Sequence, residues 1–190
     1  SEDDSAALVR EGREALRARS YAAAAQALDQ ALALNPRRID AYILRAAVHA
    51  AQKQYAAGVA VMRKAATLAP GDIDVQAALG TQLLLAGATA EGVTLLEKVV
   101  AADDKRYDAL LLLGHNYYQS GRWRDAIVAY QRYLATRPAS LASEDPVHRV
   151  DLADALLRAR QPAKAIELFT ASVGVSRVDL RARNPNARGK

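Results

Sequence analysis

Small and large apolar residues recur along this chain with a period of 34 residues. One small residue occupies the same place in four successive segments: Gly12, Ala46, Gly80 and Gly114. A second small residue follows in each segment, and a large apolar residue comes four positions later: Ala24, Gly58, Gly92 and Ala126, then Leu28, Met62, Leu96 and Tyr130. Glycine inside an isolated helix costs about 1 kcal/mol relative to alanine, so the glycines indicate places where neighbouring helices pack closely. The pattern predicts an all-α chain of tandem helix pairs.

Prolines divide the chain into repeating units. Pro36 and Pro70 lie one period apart, and Pro138 follows two periods after Pro70. A fifth unit opens at Asp145-Pro146, a favoured order of residues at a helix start, after a short insertion. The predicted units are 5–38, 39–72, 73–106, 107–138 and 146–176, with the insertion at 139–145.

These columns resemble the tetratricopeptide repeat, whose pattern is a 34-residue helix–turn–helix. The fourth unit matches most fully, with Leu110-x-x-Leu113-Gly114-x-x-Tyr117 followed by Gly121-x-Trp123-x-x-Ala126-x-x-x-Tyr130. The sequence departs from the pattern at Glu11 and Arg45, where Leu is usual, and at Pro162, which replaces an aromatic residue. The resemblance implies a single array over 5–176 that forms a right-handed superhelical solenoid and binds another protein rather than catalysing a reaction.

The resemblance also implies where a partner binds. In such arrays the first helix of each pair lines a concave groove, and helical spacing from the small column selects the side chains that point inward. The predicted partner-binding residues are Val9, Arg13, Leu16, Ile43, Ala47, Leu84, Leu111, His115, Tyr118, Val150, Asp154 and Leu157. Most of these are aliphatic, so we expect the partner to be an amphipathic helix or an extended apolar segment. For each residue, packing between helices is the alternative interpretation.

One partner class of the family is not expected. Co-chaperones with this repeat capture the C-terminal carboxylate of heat-shock proteins with a Lys/Asn clamp on the groove. The corresponding places here hold Val9, Arg13, Ile43 and Ala47, and a lone arginine does not make such a clamp.

Candidate chemistry is sparse. Asp40, Asp74 and Asp108 recur at the start of first helices, where an acid stabilises the helix dipole; this interpretation is preferred to a row that binds a cation or a basic peptide. Of the three histidines, His49 falls in a packing column and His148 in the first turn of the fifth unit, so only His115 is expected to face the groove. No two histidines are four residues apart, and no phosphate loop or nucleophile elbow occurs. The sequence therefore predicts no catalytic residue, no metal site and no cofactor.

Charge is distributed unevenly. The formal net charge is +5, and the predicted basic tail at 177–190 carries an excess of four positive charges, whereas the end at 1–4 is acidic. A nearly neutral body is a weaker signal for a polyanion partner than a basic stripe. RNA binding therefore ranks below protein binding, and no nucleic-acid partner is predicted.

The rest of the amino-acid composition bears on the kinds of site that are possible and on the source of the protein. There is no Cys, which excludes disulfides and thiolate zinc sites, and no apolar run reaches the length of a transmembrane segment. The abundance of Ala, Arg and Leu favours a bacterial source, and analogy within the family favours an assembly role in the envelope or periplasm over the cytoplasm. The chain begins at Ser1, and the sequence does not distinguish a mature form from a fragment. Self-association through the end of the array is the alternative function.

Overall fold

The computed structural model describes residues 2–173, which form five helix pairs and contain no strand. The all-α fold of tandem helix–turn–helix repeats is therefore confirmed. The predicted basic tail and Ser1 lie outside the described residues. The helices are α1 (Glu2–Arg17), α2 (Tyr21–Leu34), α3 (Ile39–Ala51), α4 (Tyr55–Leu68), α5 (Ile73–Leu85), α6 (Thr89–Ala102), α7 (Tyr107–Gln119), α8 (Trp123–Thr136), α9 (Asp145–Arg158) and α10 (Pro162–Val173).

Contacts divide the chain into two compact units, Ser1–Asp104 and Lys105–Lys190. Unit 1 contains α1 to α6, and unit 2 contains α7 to α10. No described helix has both the length and the apolar character that crossing a bilayer requires.

The turn inside each helix pair has the same backbone geometry. One residue per turn has a positive φ, between 58° and 81°: Arg19, Lys53, Gly87, Gly121 and Arg160. The N–H of the next residue then donates to a carbonyl five positions back, as in Ser20 to Ala15 at 2.8 Å and Arg122 to Tyr117 at 2.8 Å. This bond belongs to the Schellman motif, which satisfies carbonyls left unpaired at a helix end. The motif ends the first helix and turns the chain into the second.

Unit 1 is held by two apolar clusters. The first joins α1, α2 and α3, and the second joins α3, α4 and α5. Gly12 permits the closest approach in the first cluster, because a Cβ at this position would lie 2.7 Å from Leu28 Cγ. Gln82 is buried near the second cluster and donates from its Nε2 to the Ala46 carbonyl at 3.3 Å. The small columns of the sequence are thus contacts between helices.

Unit 2 is built around α8. Tyr130 and Tyr133 on this helix are each only 1% exposed, and the Tyr130 ring packs against Gly114 of α7. A short 3-10 segment, Ala139–Glu144, then leads into α9. Arg137 at the end of α8 donates through Nε and Nη2 to the two carboxylate oxygens of Asp145 at the start of α9. Both side chains are largely buried, so the pair fixes α9 against α8 across the insertion.

The starts of the first helices use two arrangements. Asp72 caps α5 by accepting from the backbone N–H of Asp74 at 2.8 Å and of Val75 at 3.1 Å. The corresponding N-cap positions of α3 and α7 hold Arg38 and Arg106 instead. Their side chains donate to Asp40 and Asp108, respectively. The acids of the periodic row at α3 and α7 therefore have contacts within their own helix start.

Candidate partner-binding surfaces

Six of the predicted partner-binding residues lie in unit 2 on what we call the α7–α9 face. Helix α7 contributes Leu111, His115 and Tyr118, and helix α9 contributes Val150, Asp154 and Leu157. In both helices the spacing is i, i+4, i+7, which places the three side chains on one side of the helix.

Side chains join the two helices of this face. The Tyr118 hydroxyl donates to Asp154 Oδ2, and Arg158 Nε donates to the same oxygen at 2.7 Å. One turn away, His115 Nε2 lies 3.4 Å from Asp151 Oδ2. The structure therefore brings together residues that are 36 positions apart in the sequence.

The hydrogen bonds change the acidity of these groups. The bond to Asp154 raises the pKa of Tyr118 above its usual value, and burial acts in the same direction. The bonds from Tyr118 and then from Arg158 lower the pKa of Asp154. Asp154 is therefore ionised and Tyr118 neutral at pH 7, which keeps the donor and acceptor in their bonding states.

Apolar side chains are exposed beside this polar row. Val150 is 53% exposed and Leu157 is 50% exposed, and Val147, which was not predicted, is 64% exposed on the same side of α9. Leu111 of α7 is half-buried. The face thus combines an apolar strip on α9 with a polar row toward α7.

The other six predicted residues lie in unit 1, on the α1–α3–α5 face, and most of them serve in packing. Leu16 and Ile43 are half-buried against the two clusters, Ala47 is half-buried, and Leu84 contacts Gly92 of α6. Arg13 is exposed.

The prediction was wrong for Val9. This side chain is only 2% exposed, because α1 turns it into the cluster formed with α2 and α3. Helical spacing predicts on which side of α1 a residue lies, but it does not predict how that side is packed against the neighbouring helices.

Two further features of unit 2 were not predicted as functional. A cavity of about 380 Å³ lies between the α7–α8 turn and the end of α9, lined by Arg122, Trp123, Arg158 and Arg160 among others. The Arg158 guanidinium carbon lies 5.1 Å from the Trp123 ring centroid and 5.7 Å from that of Tyr118, within the range of cation–π attraction. Trp123 entered the sequence analysis only as part of the repeat motif, and no pattern in the sequence pointed to Arg158.

The second feature is a group of possible metal ligands. His115 of α7 meets His148 and Asp151 of α9, with one ligand atom of each residue within 4.8 Å of the others. Spacing along the sequence did not reveal the group because its members come from two helices, α7 and α9, that are separated by α8 and the insertion. His49, by contrast, lies in unit 1, where its ring nitrogens are 3.0 Å from Arg45 Nη1 and 2.8 Å from Gln54 Oε1.

Comparison with known families agrees with this repeat architecture. Two family models, each described as a tetratricopeptide repeat, match residues 9–73 and 83–143. The chain belongs to the tetratricopeptide repeat family. Tetratricopeptide repeats are a non-enzymatic scaffold type, and protein interaction is the general function that this membership supports. Comparison with curated proteins gives no match.

Solved structures of tetratricopeptide repeat proteins share the fold. MamA from Desulfovibrio magneticus RS-1 is 23% identical with a TM-score of 0.73, over 94% of this chain and 98% of that one. Another MamA crystal structure is 13% identical with a TM-score of 0.71, over 100% and 98%. TTC0263, a thermophilic repeat protein of Thermus thermophilus, is 21% identical with a TM-score of 0.69, over 81% and 82%. At these identities the similarity establishes the fold alone.

Proposed function

We propose that this repeat protein binds a segment of another protein on the α7–α9 face. The observation that carries the proposal is the exposure of Val147, Val150 and Leu157 along one side of α9. Burial of apolar surface contributes roughly 25 cal/mol per Å², before the cost of ordering the partner. Three exposed apolar side chains on one side of a helix therefore offer a partner more apolar area to bury than a single one.

The partner segment is an amphipathic helix or an extended apolar segment. Its apolar side chains cover the strip on α9, and its polar side faces the row formed by Tyr118, Asp154 and Arg158. Because Asp154 and Arg158 already form an ion pair at 2.7 Å, a partner does not have to neutralise either charge. The α1–α3–α5 face offers a partner less exposed apolar area, since its large apolar side chains are partly or fully buried in packing between helices.

The test is affinity capture from a lysate of the source organism, followed by mass spectrometry. The bait is compared with the double variant Val150→Glu/Leu157→Glu. Both side chains are about half exposed, so the charges are tolerated by the fold, which circular dichroism verifies. We expect specific proteins to be retained by the wild type and lost with the double variant.

Val128→Glu is the matched control. Val128 is 54% exposed on α8 and lies outside the α7–α9 face, so it tests whether any exposed valine matters. Capture that is equal for all three baits would contradict the proposal. A synthetic peptide from the captured protein, titrated against the same variants, then identifies the bound segment.

The finer roles stay predictions. Assembly of a multiprotein complex in a bacterial envelope rests on the family resemblance alone. Self-association is the alternative, and light scattering at several concentrations separates the two, because a strict monomer contradicts it.

A further inference from the structure

The cluster of His115, His148 and Asp151, which we call the His–His–Asp cluster, brings three side chains of metal-ligating types together. His115 Nε2 and Asp151 Oδ2 are 3.4 Å apart. Two ligand atoms held at about 2.1 Å in a tetrahedral zinc site lie about 3.4 Å from each other. The three ligand atoms lie within 4.8 Å of one another, so the cluster contracts when a metal binds.

Packing holds both imidazoles in place. His148 and Asp151 are three residues apart on α9, which puts them on one side of the helix. The His148 ring packs edge-on against Tyr133 with centroids 4.9 Å apart, and the His115 ring packs against Tyr130 at 5.6 Å. Both tyrosines are buried on α8, so that helix supports the two ligands from behind. Supported ligands lose little freedom when a metal binds.

We propose that the His–His–Asp cluster binds one divalent transition-metal ion of the zinc class. Two imidazole nitrogens and one carboxylate are a donor set that suits Zn²⁺ or Co²⁺, whereas Ca²⁺ and Mg²⁺ prefer oxygen ligands alone. The His115 and Asp151 side chains are 42% and 36% exposed, so a fourth coordination position faces solvent. Water or a ligand from another protein completes the site there.

The metal would join α7 to α9 on the α7–α9 face, through His115. The inference does not depend on the proposed function, since metal binding by the isolated chain needs no partner. Failure of one therefore leaves the other standing.

The first experiment titrates Co²⁺ alone into the full chain without an affinity tag and follows its visible absorption. We expect saturation at one equivalent, with the intense bands of low-coordinate Co²⁺, and displacement by Zn²⁺. His115→Ala removes a half-exposed ligand and Asp151→Asn removes the charge of another, so each should weaken binding by at least the roughly tenfold that loss of an outer-shell partner costs. His49→Ala is the matched control, because this histidine lies in unit 1, and it should leave binding unchanged. Absence of saturable binding, or equal binding by all variants, overturns the proposal.

A second measurement uses only the wild type and so does not depend on variant folding. The three histidine rings are followed by ¹⁵N NMR during addition of Zn²⁺. We expect two rings to change at one equivalent while the third stays constant. Equal, gradual changes in all three rings, or no change in any, would contradict a built site.

Discussion

At the scale of single residues, glycines have two different structural roles in this repeat protein: some adopt a positive φ in a turn, and others allow a neighbouring side chain to approach a helix closely. Gly87 lies in a turn with φ +81°, and a Cβ added there would have no atom within 4 Å, so only its backbone conformation favours glycine. Gly114 lies inside α7, where a Cβ would meet the Tyr130 ring at 2.8 Å, so only its lack of a side chain matters. Gly71 has neither constraint.

Gly87→Ala should lower the free energy of unfolding by about 1 kcal/mol, because an L-residue is strained in the left-handed region. Gly71→Ala is the control, since it also faces open space but lacks a positive φ. It should be neutral or stabilise the fold by up to about 1 kcal/mol through the unfolded state. Urea denaturation of both variants measures the difference. Equal changes in the free energy of unfolding for the two variants would show that the positive φ of Gly87 does not determine the cost of substitution.

Gly114→Ala should also destabilise the protein, by about 1–2 kcal/mol, for the different reason of overpacking. Alanine gains about 1 kcal/mol in helix propensity, but the buried Tyr130 ring cannot move away without disturbing the core of unit 2. Denaturation followed by the fluorescence of Trp123, the single tryptophan, reports on this unit. A gain in stability would mean that the ring can move aside.

At the scale of helices, an ion pair between Arg137 and Asp145 links the end of α8 to the start of α9. The hydrogen bond from Arg137 lowers the pKa of Asp145 below its usual value, against the opposing effect of burial. A carboxyl group whose pKa is lower in the folded state stabilises that state above its unfolded pKa. This contribution is lost as the pH falls through the folded value.

The wild type should therefore exceed Asp145→Asn in stability at neutral pH, and the difference should shrink as the pH falls below about 4, near the ordinary pKa of Asp. Chemical denaturation of both proteins between neutral and acidic pH measures this. If the difference in free energy of unfolding between the two proteins stayed constant across the acidic range, ionisation of Asp145 would not be the source of the stabilisation.

At the scale of the whole molecule, the net positive charge is concentrated in the predicted basic tail. Four of the five net positive charges belong to residues 177–190. Electrostatic attraction to polyanions follows net charge and falls with salt.

Removal of residues 177–190 should therefore abolish most of the retention on a heparin column at low salt. The full chain at the same salt is the reference, and circular dichroism checks that the helices persist. Retention that survives the truncation would locate a polyanion site on the repeats and favour the RNA-binding alternative.

The sequence alone determined the class of this protein. Its 34-residue period, carried by the small columns and by residues such as Tyr130, predicted an all-α chain of tandem helix pairs and the tetratricopeptide resemblance. This was possible because the packing inside a helix pair joins residues close together in the sequence. Gly114 and Tyr130, for example, are 16 positions apart and fall in recognisable columns.

Only the tertiary structure decided which surface is available and which side chains meet. Val9 and Leu84 belong to columns that face inward by spacing, yet neighbouring helices use them in packing, whereas Val150 and Leu157 remain exposed. His115 meets His148 and Asp151 across the insertion between α8 and α9. Helical periodicity fixes the side of a helix on which a residue lies, but its exposure and contacts depend on how that helix is rotated and placed against the next.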